Sequence, residues 1–118
     1  MPLIQTGLIG EALESGPVGV LVADDDARYV AVNLYACKLL GYEREELLEL
    51  SVPDIAVGES AIGDYQDFLA RPRWRSTYRL RHRDGSISDY EILAADTRIA
   101  GLQFYVSLFW PADEPAQA

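Results

Sequence analysis

The segment Gly16–Gly41, which reads GPVGVLVADDDARYVAVNLYACKLLG, constrains the fold of this chain more than any other, because its parts predict one another. PVGVLVA and ARYVAV are apolar runs of strand length, and the DDDA between them is typical of a turn that joins two strands. Asn33 is a good N-cap for the helical pattern LYACKLL, and Gly41 favours the end of that helix. We therefore predict a strand, a tight turn, a second strand and a capped helix in that order.

Three motifs in the chain resemble those of PAS domains, a family of small sensory and interaction modules in signalling proteins. They are the segment above with the GYEREEL that follows it, the HRDGSISDYEI that is similar to the family's RKDGS hairpin, and the apolar stretch GLQFYVSLF. The resemblance covers residues 12–110. It implies an α+β PAS fold, a five-stranded antiparallel sheet in the order 2-1-5-4-3 with helices packed on one face and a flanking N-terminal helix.

The chain divides into a flanking helix over residues 1–15, a PAS domain over 16–110 and a disordered tail over 111–118. Strands are predicted at Val18–Ala23, Arg28–Val32, Trp74–His82, Ile87–Thr97 and Leu102–Trp110. Besides the helix after Asn33, we predict helical segments at Tyr42–Leu50 and Ala61–Ala70 and a short turn that begins at Pro53. The two prolines of the tail disfavour a continuing helix, so the chain either acts through a partner or belongs to something longer.

Length and charge narrow the class of protein. The 118 residues, 49% of them hydrophobic, suffice for one core, and no apolar run approaches the roughly 18–20 residues of a membrane span. The chain begins without a basic signal region, and its single cysteine cannot form an internal disulfide, so we expect a cytoplasmic location. A net charge of −9 argues against binding to nucleic acid.

Six arginines between residues 71 and 83 are the exception to this acidic character, and five of them share one face of the predicted strand. A three-residue loop at Asp84-Gly85-Ser86 would place carboxylates opposite two of them. The predicted cross-strand pairs are Arg79–Glu91 and Arg81–Asp89. We therefore interpret the arginines as a solvated, ion-paired face rather than a nucleic-acid site.

Alternation along the predicted strands sorts their side chains into two faces. The face away from the helices is apolar along the first and last strands, and its exposure would exceed the patch that is typical of a monomer. We expect the flanking helix, a second copy of the chain, or both to cover this apolar face. The predicted homodimer interface consists of Ile4, Leu8, Leu13, Phe104, Val106, Leu108 and Trp110.

The opposite face, towards the helices, is where PAS domains hold ligands. The residues expected to line this site are Leu39, Leu47, Ile55, Tyr65, Phe68, Tyr78, Leu80, Tyr90, Tyr105, Ser107 and Phe109. Tyrosines and a serine around an apolar cavity suit a small, mostly apolar organic ligand that is neutral or weakly acidic. The same side chains can also fill the space, which would give a ligand-free dimerisation module.

Known cofactor subtypes of the family do not fit this chain. Val52 stands where flavin-binding LOV members have a reactive cysteine. The predicted helix Ala61–Ala70 lacks the histidine that binds iron in haem-binding members. No cysteine follows this helix, as one does in the photoactive yellow class. One histidine, His82, and the distant Cys37 cannot form a zinc site. Asp24-Asp25-Asp26 has the spacing of a turn, and we find no catalytic constellation. We expect no cofactor, no metal and no enzymatic activity.

The resemblance thus implies a sensory or regulatory module in signal transduction, with a homodimer as its assembly. An effector or kinase partner and a role in the regulation of transcription are further implications of the family, whereas we expect neither nucleic acid nor membrane as a partner.

Overall fold

The computed structural model describes residues 2–57 and 73–112, and the side chains of residues 7–57 and 77–112 within them. The helices in these ranges are α1 (Pro2–Glu14), α2 (Leu34–Leu40), α3 (Arg44–Leu47) and α4 (Val52–Ile55). The strands are β1 (Gly19–Asp24), β2 (Tyr29–Val32), β3 (Arg73–Arg81), β4 (Ile87–Ile99) and β5 (Leu102–Pro111). The predicted helix Ala61–Ala70 and most of the predicted tail lie outside the described residues. No helix within the described ranges is long and apolar enough to cross a membrane.

The five strands form one antiparallel sheet in the order β2-β1-β5-β4-β3, which confirms the predicted fold class. Each predicted strand agrees with the observed one to within two residues at either end. The register pairs Leu21 with Ser107 on one face and Val20 with Leu108 on the other. We call the face of Leu21, which packs against the helices, the inner face, and the face of Val20 the outer face.

The segment around α4 pairs with both edges of the sheet. Ser51 bridges to Arg28 beside β2, and Ala56 bridges to Leu80 on β3. The five steps from Ser51 to Ala56 span at most roughly 17 Å even when extended, whereas in a flat sheet these two residues, each one strand spacing beyond an edge strand, would lie six spacings or roughly 29 Å apart. The sheet therefore curls, and its inner face becomes concave around α2, α3 and α4.

Asn33 joins three elements at the entrance to α2. Its buried side chain accepts the amide protons of Val20 and Ala36 through Oδ1, both at 2.9 Å. Its Nδ2 donates to the carbonyl oxygens of Leu13 at 2.5 Å and Val18 at 3.0 Å. The N-cap that was predicted from the sequence therefore also holds the end of α1 and the start of β1 in place.

The predicted helical segment Tyr42–Leu50 is too long at both ends. A capping box sets the start, because the Glu46 carboxylate accepts the amide proton of Glu43 at 2.8 Å and α3 begins at Arg44. After Leu47, the amides of Glu49 and Leu50 bond to the third residue before them, which tightens the chain into a turn.

The predicted pairing of the β3–β4 hairpin is wrong by two residues. Arg79 lies opposite Asp89 rather than Glu91, and Arg81 lies opposite Ile87 rather than Asp89. The Arg79 and Asp89 side chains are 3.8 Å apart and exposed. Both arginines remain on the outer face, because a shift of two residues preserves the face.

The loop of this hairpin explains the shift. The His82 amide donates to the Ser86 carbonyl at 2.8 Å, so the three loop residues are Arg83, Asp84 and Gly85 rather than Asp84, Gly85 and Ser86. Gly85 has φ 91°, which suits the left-handed position that closes such a loop. The hydroxyl and amide of Ser86 both donate to Asp84, and the hydroxyl is the main reason that the pKa of this carboxyl is lowered.

Candidate functional site

The inner face carries the hydrophobic core of the described residues. Phe109, Leu40, Leu47 and Ile55 are completely buried, and Leu80 and Tyr90 are nearly so. Five of the residues that were predicted to line a ligand site therefore meet here, and two more, Leu39 and Tyr78, pack at the margin of the core. The five are Leu47, Ile55, Leu80, Tyr90 and Phe109.

Phe109 occupies the centre of this arrangement. It lies directly opposite Gly19 on β1, and a Cβ at Gly19 would lie 2.3 Å from Cε1 of the ring. The rings of Tyr90 and Phe109 pack edge to face, with their centroids 5.4 Å apart and their planes at 75°. Gly19 was not among the predicted site residues, although a glycine within an otherwise branched strand is a signal of close approach.

The hydroxyl of Tyr90 connects the core to the hairpin. It donates to the Leu39 carbonyl oxygen at 3.3 Å and lies 2.9 Å from Nε2 of His82. From the sequence, His82 was considered only as a metal ligand, and this contact was not predicted. Its position on the inner face follows from the same alternation that places Leu80 there.

Tyr105 lies apart from this cluster. It pairs with Asp96 on β4, whereas Tyr90 pairs with Pro111, so the two tyrosines are separated by about six residues or roughly 20 Å along the sheet. Both tyrosines lie on the inner face of neighbouring strands, as predicted, but this separation is too large for them to border one small cavity. Ser107 lies between them, opposite Leu21 and Ala94.

The remaining predicted lining residues, Tyr65 and Phe68, lie outside the described residues. Two surface grooves adjoin the described core. One, of about 310 Å³, is lined by Lys38, Leu39, Leu40, Gly41, His82, Arg83 and Asp84. The other, of about 550 Å³, is lined by Ser88, Asp89, Tyr90, Pro111 and Ala112. Tyr90 and His82 therefore stand between the buried core and its open margins.

The acidic turn Asp24-Asp25-Asp26 is organised by hydrogen bonds within the turn, and Cys37 is buried. Oδ1 of Asp24 accepts the amide protons of Asp26 at 2.9 Å and Arg28 at 3.0 Å, which is the local bonding of a turn. Burial raises the pKa of the Cys37 thiol, so it is a weak nucleophile.

The outer face is apolar across three strands. We define the outer surface as its described apolar side chains, Val18, Val20, Val22, Leu93, Ile99, Leu102, Phe104, Val106, Leu108 and Trp110. Each is at least partly exposed, and Leu102 and Ile99, which pair at the tip of the β4–β5 hairpin, reach 63% and 55%. Ile99 was not part of the predicted interface, because its strand was predicted to end at Thr97.

The described side chains of α1 leave this surface uncovered in the single chain. Residues 7–12 of α1 are all exposed, and its side chains Leu8 and Ile9 are 61% and 63% exposed. At the end of α1, by contrast, Leu13 is partly buried and Glu14 forms an ion pair with Arg44. The side chain of Ile4 lies outside the described ones. The alternative in which the flanking helix alone covers the sheet therefore does not hold for this part of α1.

Comparisons with solved structures find the same fold in other proteins. A PAS domain from a two-component sensor histidine kinase is 18% identical, with a TM-score of 0.83 over 94% of this chain and 99% of that one. The PAS domain of an HTR-like protein from Haloarcula marismortui is 22% identical, with a TM-score of 0.80 over 92% and 93%. A PAS domain in complex with ethanol, from a LuxR-family transcriptional regulator of Burkholderia thailandensis, is 14% identical, with a TM-score of 0.71 over 87% and 96%.

Sequence comparison agrees with this likeness. The PAS domain family profile matches residues 17–105, which is most of the chain. No curated protein sequence matches it. The chain belongs to the PAS domain family, and this membership implies a signal-sensing role.

Proposed function

We propose that the chain is a cytoplasmic signal-transduction module that acts as a homodimer and receives a small, mostly apolar molecule on its inner face. The observation that carries the proposal is the outer surface, an apolar sheet face that the single chain leaves partly exposed. The same chain also exposes Leu8 and Ile9 on α1. A second copy can bury both apolar surfaces in one symmetric contact.

The dimer is tested with one substitution on the outer surface and one control. Phe104→Glu places a charge between Leu102 and Val106 on the same face of β5 and should give monomers by light scattering. Leu48→Glu changes an exposed apolar residue that follows α3, away from the outer surface, and should leave the dimer intact. A wild-type protein that is monomeric at tens of micromolar would overturn the proposal.

Ligand binding is the second part of the proposal, and its support is the aromatic cluster of Tyr90 and Phe109. A rearranged Phe109 would open a space next to a polar tip, which suits a neutral or weakly acidic apolar molecule. The ethanol complex of the LuxR-family relative supports a small ligand by analogy. The alternative is a ligand-free dimerisation module in which these rings simply fill the core.

A thermal-shift screen of small aromatic and fatty acids distinguishes the two alternatives. Compounds that stabilise the wild type but not Phe109→Leu would support an inner-face site, since that variant changes the shape of the core. If no compound shifts the wild type, the ligand-free alternative stands.

We further propose that the module has no catalytic activity, no bound flavin, haem or metal, and no nucleic acid as a partner. The raised pKa of Cys37 and the net charge of −9 support this view. An effector or kinase receives the signal, and regulation of transcription is the output of the LuxR-family relative. An absorbance peak in the visible range that survives gel filtration would contradict the absence of a cofactor.

A further inference from the structure

The C-terminus of α2 is completed by residues from a distant hairpin. The last carbonyl groups of a helix have no partner within it and need donors from elsewhere. The Gly41 amide donates to Cys37 at 2.8 Å, as a local cap does. The carbonyl oxygens of Leu39 and Leu40 instead accept from the Tyr90 hydroxyl at 3.3 Å and the Arg83 amide at 2.9 Å.

His82 holds the Tyr90 hydroxyl in this position. Because the hydroxyl proton points to the Leu39 carbonyl, the Tyr90 oxygen accepts the proton of His82 Nε2 at 2.9 Å. This assigns the tautomer of His82 from the hydrogen-bond network. His82 is half-buried, so its imidazole closes the core on the side of the smaller groove.

The hairpin also holds α3. Nε of Arg83 lies 2.9 Å from Oε2 of Glu46, while Oε1 of the same carboxylate accepts the Glu43 amide that starts α3. Arg83 therefore bonds to the end of α2 through its backbone and to the start of α3 through its side chain. The two helices and the hairpin form one unit around Gly41.

Tyr90 links this unit to the centre of the core. Its hydroxyl lies at the end of α2, while its ring packs against Phe109 with the centroids 5.4 Å apart. A change in the position of Phe109 must move the Tyr90 ring or leave a void beside it. A Tyr90 ring that moves to fill such a void takes with it the hydroxyl that completes α2.

We propose that the β3–β4 hairpin is a latch in which Tyr90, positioned by His82, couples the occupancy of the Phe109 site to the C-terminus of α2. This latch rests on the inner-face ligand site proposed above. When the Phe109 site changes, the hydrogen bond from the Tyr90 hydroxyl to the Leu39 carbonyl breaks. The Arg83 amide then loses its hydrogen bond to the Leu40 carbonyl, and the junction between α2 and α3 becomes free to move.

Amide hydrogen exchange tests the latch without any ligand. Tyr90→Phe removes one oxygen and should accelerate exchange of the Arg83 amide by about five- to tenfold relative to the Val20 amide in β1. Tyr78→Phe removes the same atom from the residue directly opposite on β3 and should leave this ratio unchanged. His82→Ala should reproduce the effect of Tyr90→Phe, and His82→Gln, which keeps a donor, should reduce it. If Tyr90→Phe changes the exchange rates of the Arg83 and Val20 amides by the same factor, the Tyr90 hydroxyl is merely structural and the proposal is wrong.

A second comparison tests the coupling to the core with benzene as the probe. Phe109→Ala, or Phe109→Leu if the alanine variant does not fold, leaves a space that benzene can fill. In this variant, benzene should slow hydrogen exchange of the Arg83 amide more than that of the Val20 amide. When Tyr90→Phe is added to the variant, benzene should slow both amides by the same factor. Binding without a selective effect at Arg83 would refute the coupling. If benzene does not bind, the proposed ligand site fails, and the ligand-free comparison still decides whether the hairpin latches α2.

Discussion

Gly19 shows how one missing side chain arranges the core. The Phe109 ring rests on the β1 backbone because Gly19, directly opposite on the neighbouring strand, has no Cβ. Aromatic residues across from strand glycines shield the exposed backbone in this way. The contact fixes the ring against β1 and leaves its other side for Tyr90.

A substitution at this position tests the packing. Gly19→Ala should lower the free energy of unfolding by about 1–3 kcal/mol, because the new methyl group overlaps the ring. The double variant Gly19→Ala/Phe109→Leu should lose less than the sum of the two single changes, which urea denaturation can measure. Gly10→Ala, at an exposed position of α1 with no neighbour near its Cβ, is the contrasting change and should not destabilise the protein. Strictly additive losses would show that the ring and Gly19 are not coupled.

Glu14 gives a prediction for pH. Its hydrogen bond to Arg44 is the main cause that lowers the pKa of this carboxyl below 4.5. A lowered folded-state pKa stabilises the protein above the unfolded value, and the contribution is lost as the pH falls through the folded value. The wild type should therefore exceed Glu14→Gln in stability at neutral pH, and the difference should close as the pH falls below 4.5 and through the lowered folded-state pKa. Both side chains are partly exposed, so the effect is modest and decreases with salt. A difference that grows on acidification would contradict this assignment.

At the scale of elements, alternation was the most reliable signal in the sequence. The assignment of Leu80, Tyr90 and Phe109 to the inner face, and of Val106 and Leu108 to the outer face, holds in the structure. A period of two is local, and it survives small errors in the strand ends. Asn33 and Gly41 likewise bounded α2 correctly, since capping depends on neighbouring residues alone.

The register of the β3–β4 hairpin and the contacts between distant residues could not be predicted from such local patterns. Asp84 and Gly85 fit either of two three-residue loops, and only the His82–Ser86 closure in space distinguishes them. The contact of Tyr90 with Leu39 joins residues 51 positions apart, and nothing local signals it. The site was therefore predicted as a set of inner-face residues, without the hydrogen bonds that organise it.

The corrected register is testable through one ion pair. A double-mutant cycle of Arg79→Ala and Asp89→Ala should give a coupling of about 0.2–1 kcal/mol at low salt, as is usual for exposed pairs. The cycle of Arg79→Ala with Glu91→Ala, the pair of the rejected register, should give a smaller coupling. A larger coupling for Glu91 would reinstate the original register.

At the scale of the whole molecule, the two faces of the sheet have separate roles in this account. The inner face is packed around Phe109 and closed by the β3–β4 hairpin, while the outer surface and α1 are left for a second copy. The end of α1 is held by Asn33 and Arg44. Because both residues flank α2, the helix that bears the exposed Leu8 and Ile9 is attached next to the core.

Native mass spectrometry of the wild type and Phe104→Glu tests the central claim, that this PAS domain works as a dimer formed through its outer surface. The account predicts a wild-type species of twice the mass of one chain at tens of micromolar, and a single-chain species for Phe104→Glu with an unchanged circular dichroism spectrum. The same spectra would show any co-purified small molecule as added mass. A wild type that remains a single chain, or a Phe104→Glu variant that remains a dimer, would contradict the account.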